Sequence, residues 1–149
     1  HAEDLYICGL LHDIGKIIML EKANAKYLDM LTRSAQTHRS TLDLEQEEFG
    51  FNHADVGSVL AIKWFLPEDL TIAIRYHHAP SRDPFHRSLS SLIHLADHLA
   101  WNAGHPSTSG TPAQAIEHEL YEQVGLDPQT VEDLLPQVQE DFAGAEMPW

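Results

Sequence analysis

The chain has 149 residues, 43% of them hydrophobic, which fits one domain able to bury roughly 70% of its unfolded surface. Nine Lys plus Arg against 23 Asp plus Glu give a formal net charge of −14, which opposes any surface built to neutralise nucleic-acid phosphates. No apolar run exceeds four residues, as at Ile17 to Leu20, against the ~20 that span a bilayer. No basic stretch precedes an apolar one at the N-terminus, and the single cysteine, Cys8, cannot form an internal disulfide, so the sequence predicts no membrane contact, no signal segment and a cytoplasmic location.

In chain order the pattern predicts helices and no run of alternating apolar and polar residues. From Ala2 to Leu20, Leu5, Cys8, Leu11, Ile14 and Ile18 together with Ile7, Leu10 and Ile17 wrap most of a helix, which predicts a buried central one. A second helix is expected from Asn24 to about Ala35, around Tyr27, Leu28 and Leu31, and a third from Thr41 to Phe49, stopped by Gly50. Asn52 is a suitable N-cap for a helix carrying Val56, Val59, Leu60 and Trp64, and Pro67 with Glu68 and Asp69 opens another that runs to about His78. Pro80 and Pro84 bracket a loop, Leu89 to Asn102 forms a further helix, and Gly104 to Thr111 is a loop. Two amphipathic segments follow, Ala113 to Val124 and Asp127 to Phe142. The expected organisation is one all-α domain over residues 1–149, with a core in 2–103 and acidic C-terminal helices in 113–142.

The charge is uneven. Residues 1–87 hold 13 acids and all nine bases, whereas Ser88 onward holds ten acids and no Lys or Arg, so an anion must be bound in the first part or by a site that brings its own positive charge. The chain also has 11 histidines, a residue that serves both as metal ligand and as general acid or base near neutrality. Gly9-Leu10-Leu11-His12-Asp13-Ile14-Gly15-Lys16 places His12, Asp13 and Lys16 within the most apolar predicted helix. Each buried imidazole or carboxylate there costs several kcal/mol unless it is hydrogen-bonded, paired or bound to a cation, and Gly9 and Gly15 leave room for close approach to the backbone. A self-satisfied His12–Asp13 pair and a metal site both meet that demand. Further histidines accumulate at His53 in the first turn of its helix and at His77 and His78 at the end of another, and Asp97 is a second carboxylate near an apolar face.

His12-Asp13-Ile14-Gly15-Lys16, His53-Ala54-Asp55-Val56-Gly57, Trp64-Phe65-Leu66-Pro67, His77-His78-Ala79-Pro80 and Leu95-Ala96-Asp97, in that order, resemble the HD superfamily of metal-dependent phosphohydrolases and most closely its HDOD subgroup. The resemblance runs from about Ala2 to Asp141. It implies a helical bundle that directs His12, Asp13 and Asp97 at one metal, with Asp13 bridging to a second ion held by His53, His77 and His78. A mixed imidazole and carboxylate set suits Mn, Fe, Co, Ni or Zn, not distinguishable here, and one or two such ions would provide hydroxide at neutral pH and neutralise a bound phosphate. Lys16 would add a point charge on a phosphate oxygen, and His78 or Lys16 would assist the leaving group.

Two hypotheses follow from the resemblance. The first is hydrolysis of a phosphomonoester or phosphodiester, possibly a signalling nucleotide, with Asp13, Lys16 and His78 as catalytic residues. The second is a regulatory HDOD module of bacterial signal transduction, catalytically weak or inactive, that acts by binding another protein domain. No Gly-Tyr-Pro element follows His77-His78, so the resemblance does not extend to the cyclic di-GMP phosphodiesterases. The superfamily's first metal-binding histidine lies farther upstream than the 11 residues preceding His12. The expectation is therefore a chain that starts inside the family domain, without its N-terminal helices, and a first metal one ligand short. His94 and His98 are expected to face solvent, Trp64 and Trp101 to be core, and Cys8 to be a small apolar filler. His1, His38, His86, His105 and His118 receive no role.

Overall fold

The computed structural model describes residues 2–85, 87–105 and 116–144. Among them are eight α-helices: α1 (Ala2–Leu11), α2 (Ile14–Thr37), α3 (Thr41–Phe49), α4 (His53–Lys63), α5 (Glu68–Tyr76), α6 (Arg87–Asn102), α7 (His118–Val124) and α8 (Pro128–Gly144). A 3₁₀ turn at Pro80–Arg82 links α5 to α6, and the described residues contain no strand. The expected all-α bundle is what the chain forms. His1, His86, Gly110 and Thr111, and the start of the predicted helix at Ala113, lie outside the described residues.

Local chemistry sets most of the helix boundaries. The Ser40 hydroxyl accepts from the Asp43 amide at the start of α3, and Gly50 closes that helix in the left-handed conformation at φ 77°, where a side chain would be strained. At α4 the Asn52 side chain accepts from the Asp55 amide while Asp55 accepts from the Asn52 amide, a reciprocal capping box that fixes His53 as the first helical residue. Asp127 caps α8 by accepting from the Thr130 amide at 2.9 Å.

Two departures from the sequence expectation matter for the site. The predicted Ala2–Leu20 helix is broken at His12-Asp13 into α1 and α2, and it is not buried all round: Tyr6, Ile7, Leu10, Ile17 and Leu20 are exposed, and only Cys8, Gly15 and Met19 are fully buried. An apolar pattern on every face records composition, and the contacting elements decide which face is covered. Beyond the break, α2 continues to Thr37 through a kink at Asn24, whose φ of 33° leaves the helical region. Asn24 was thus a boundary signal, and it marks a bend inside one longer element. His38 ends α2 in the left-handed conformation. Trp64, expected in the core, is half exposed at the α4–α5 turn, beside the exposed Phe65.

Three apolar clusters hold the bundle. Cys8, Ala61, Leu70, Ala73, Ile74 and Ile93 join α1, α4, α5 and α6. Met19, Tyr27, Met30 and Leu44 join the two limbs of α2 to α3, and Leu95, Leu120 and Val131 seat α7 and α8 on α6. The closest approach is between α2 and α4. A Cβ on Gly15 would lie 1.9 Å from the His53 carbonyl oxygen and 2.9 Å from the Gly57 nitrogen, so two backbones touch where the sequence offered only room for something to approach. Gly9, paired with it in that expectation, has open space at its Cβ position.

Gly15→Ala therefore sets backbone against backbone and is expected to cost more than about 3 kcal/mol or to abolish folding. Gly57→Ala meets the movable Ile74 Cγ2 at 3.0 Å and should cost under about 2 kcal/mol, part of it offset by helix propensity. Urea unfolding of the two variants checks the order. Burial pushes the Cys8 thiol up to about 12, so its alkylation at pH 8 should proceed only as fast as the protein opens.

Candidate metal centre

The site is built at helix ends, where backbone geometry lets neighbouring side chains converge. His12 and Asp13 occupy the break between α1 and α2, and His53 is the first residue of α4. His77 is the C-cap of α5, so His77 and His78 both reach inward; on a continuing helix they would diverge by about 100°. Pro80 follows in the 3₁₀ turn. Asp97 comes from α6, 84 residues after Asp13, and its Oδ1 lies 4.0 Å from His12 Nε2.

Asp13 is the centre of this constellation. Its Oδ1 is 3.2 Å from His53 Nε2 and 3.7 Å from His77 Nε2, while its Oδ2 is 2.7 Å from Lys16 Nζ and 3.5 Å from His12 Nε2. One ligand atom each from Asp13, His53, His77 and His78 lies within 4.8 Å of the others. The structure thus brings together all six residues singled out as metal ligands, in two nests that share Asp13: His53, His77 and His78 on one side, His12 and Asp97 on the other. Lys16, expected to contact a phosphate oxygen, is largely buried against Asp13.

Proton positions follow from the outer partners. A carbonyl oxygen can only accept, so His12 Nδ1 donates to the Gly9 carbonyl at 2.7 Å and His77 Nδ1 donates to the Ile74 carbonyl at 2.7 Å. His53 Nδ1 lies 2.6 Å from Glu45 Oε2 and donates to that carboxylate. In the neutral form all three rings then turn an Nε2 lone pair toward Asp13. His12 Nε2, Asp13 Oδ1 and His77 Nε2 are buried without a hydrogen bond of acceptable geometry. His53 Nε2 and His78 Nε2 face each other at 2.9 Å, a distance two lone pairs do not tolerate without a proton or a cation. Orphaned donor atoms of this kind cost free energy that one divalent ion removes. The mixed nitrogen and oxygen set fits Mn, Fe, Co, Ni or Zn better than Ca.

Electrostatics agree. Burial pushes the Asp13 carboxyl up, but the His53 and His77 rings lying against it and the charges of Lys16 and His12 outweigh that and hold Asp13 well below the usual carboxylate range. Burial lowers His53, yet Asp13 and Glu45 raise it more, and its basicity ends above the ordinary value. Burial dominates at His77, pushed down to about 4, and at His78, also lowered well below the ordinary value.

Several residues were misjudged or missed. His94, expected to face solvent, is half-buried and its Nδ1 donates to the His77 carbonyl at 2.7 Å; it steadies the backbone that carries the His pair. His98 is half-buried too. Glu45 received no attention, yet it is fully buried and accepts from the His53 amide at 2.8 Å, from His53 Nδ1 and, through Oε1, from the Tyr27 hydroxyl at 2.6 Å. The signal was present: Thr41, Leu44 and Glu45 share the buried face of α3, so a glutamate stands at an apolar register position. A cleft of about 180 Å³ opens on the far side of His78, among His94, Glu117, Glu119 and Gln123. Its described lining includes two carboxylates, Glu117 and Glu119, and no Lys or Arg.

Comparison with known proteins matches this architecture. The model of the HDOD domain family matches residues 1–80. The chain belongs to the HDOD domain family. A Treponema pallidum (strain Nichols) protein of uncharacterised role is 34% identical over 101 residues, 63% of this chain but 18% of that protein. A Marinobacter aquaeolei VT8 structure, named for signal transduction, superposes with a TM-score of 0.78 at 23% identity, covering 95% of this chain and 32% of the other. An HDOD domain protein of unknown function from Geobacter sulfurreducens gives a TM-score of 0.76 at 20% identity, over 91% of this chain and 51% of the other. The HDOD chain thus spans from under a fifth to about half of these relatives. At these identities the two structures speak for the fold alone.

The opposed imidazoles give a measurable pH dependence in metal-free HDOD protein. Unfolded histidines titrate near 6.5, whereas folded His77 titrates near 4, so between those values the unfolded state binds a proton that the folded state refuses. That stability is present above 6.5 and is lost as pH falls toward 4. His78 has the same sign. His53, raised, has the opposite sign, its contribution being present below 6.5 and lost as pH rises through its folded value. Two groups against one predict a lower urea midpoint at pH 5 than at pH 7 in the presence of EDTA, and His77→Gln should shrink the difference.

Proposed function

We propose that this HDOD domain binds a divalent metal ion between α1, α2, α4, α5 and α6 and uses it to hydrolyse a phosphomonoester or phosphodiester. The observation that carries the proposal is the convergence of three Nε2 atoms, each on a ring whose Nδ1 is anchored outside, upon the shared carboxylate of Asp13. His12, Asp13 and Asp97 would hold one ion, and His53, His77 and His78 with Asp13 would hold a second. Such an ion, when bound, supplies Lewis acidity toward water and a phosphate oxygen, and positive charge in a protein of net charge −14. The chain's own residues supply the rest. Asp13 stays ionised and fixes the rings, His77 stays neutral at pH 7, and Lys16, 2.7 Å from Asp13 Oδ2, would supply a positive charge beside the ion. His78, its basicity lowered well below the ordinary value by burial, stays neutral at pH 7 as a ligand must, which leaves Lys16 to assist a leaving group.

A second reading is a regulatory module that keeps the cation as a structural hub. It is favoured by large apolar side chains left exposed, among them Tyr6, Leu10, Ile17 and Phe65, since exposed apolar surface marks protein contact sites.

Metal titration and turnover together separate the two. At 100 times its Kd an ion should stabilise the fold by about 2.7 kcal/mol, a Tm rise of roughly 5–10 °C for a chain of this size, and Asp13→Ala should abolish the rise. Metal-dependent turnover on a panel of phosphate esters and nucleotides, lost in Asp13→Ala and at least about tenfold slower in Lys16→Ala, supports the enzyme. Metal binding with no turnover on any of them leaves the regulatory module. No metal binding overturns both.

A further inference from the structure

The resemblance that suggests ligands says nothing about what holds them in place, and here the structure is specific. Glu45 comes from α3, a helix that contributes none of the six candidate ligands. Both of its oxygens are committed: Oε2 accepts from the His53 amide at 2.8 Å and from His53 Nδ1 at 2.6 Å, and Oε1 accepts from the Tyr27 hydroxyl at 2.6 Å. The group is fully buried. A buried carboxylate is costly unless its oxygens are hydrogen-bonded, so these three donors fix its position. An anion facing Nδ1 keeps that nitrogen protonated, which leaves Nε2 for the interior.

We propose that Glu45, steadied by Tyr27, is a positioning residue for the cation site: it locks the His53 ring with Nδ1–H outward and Nε2 turned onto Asp13 and His78. The proposal rests on the cation reading for its purpose, but its geometry can be tested without a metal. Tyr27 lies beyond the Asn24 kink of α2, so the bend that sets the second limb of α2 against α3 also delivers the hydroxyl to Glu45. Cation occupancy is then coupled to the docking of α3, because the same carboxylate that orients a ligand ties α3 to the N-terminus of α4.

Long-range ¹H–¹⁵N NMR of the imidazoles in the wild-type chain reads the proton directly, in EDTA and with zinc. The expected result is a protonated His53 Nδ1 with a strongly deshielded proton in both states. A second measurement is zinc affinity. Glu45→Gln should weaken it by about 10–100-fold, the usual effect of removing an outer partner of a metal-binding histidine, and Tyr27→Phe, which removes only the hydroxyl, by a smaller factor. Zinc should slow amide exchange across Thr41–Phe49 in the wild type and not in Glu45→Gln. The control is Glu47→Gln, an exposed residue of α3 paired with Arg39, which should change neither. An unprotonated Nδ1 with the proton on Nε2 overturns the proposal, as does zinc affinity unaltered in both Glu45→Gln and Tyr27→Phe. If the wild type binds no zinc, the cation reading fails, and the NMR result alone decides the positioning.

Discussion

The carboxylate of Asp13 is the constraint around which the molecule is arranged. It sits at a break between two helices, largely withdrawn from water, with Lys16 and His12 on one oxygen and His53 and His77 on the other. An isolated carboxylate in such a place costs several kcal/mol or gives up its charge. Here it keeps its charge, since Lys16 and the surrounding imidazoles more than offset burial. Other elements must therefore bring polar groups to one point, and the start of α4, the end of α5 and the face of α6 are where the bundle does so.

The close contact between Gly15 and the first turn of α4 is the mechanical counterpart. With no side chain at Gly15, the His53 carbonyl comes to within contact of the α2 backbone, and the capping box of Asn52 and Asp55 sets the exact start of α4. The position of His53 thus depends on one glycine, one cap and one buried glutamate, each from a different element. Any of them acts on the site through distance and ring orientation, with no contact to a ligand required.

The charge distribution gives the site its chemical character. All of the basic residues precede Ser88, and the cleft beyond His78 is walled by Glu117 and Glu119. A cation bound at Asp13, as proposed, would place its positive charge beside Lys16 in a chain whose formal net charge is −14.

How much of this was legible in the sequence can be judged element by element. The all-α class, the limits of α3, the Asn52 cap of α4 and the stop at Gly50 followed from caps and breakers, because these are local signals that need no partner, whereas the six-residue His and Asp set came from the resemblance. The convergence of Asp97 on His12 was expected from resemblance and is decided by packing. The break at His12-Asp13, the exposure of Ile17 and Trp64, and the burial of His94 were not legible. An apolar residue shows its face only when a neighbour covers it, and α4 and α6 cover one side of α1 and α2. Glu45 and Tyr27 are 18 residues apart in sequence and meet at 2.6 Å. No helical period relates two residues across the turn between α2 and α3, so the tertiary structure alone could turn an ordinary surface-type glutamate into the anchor of His53.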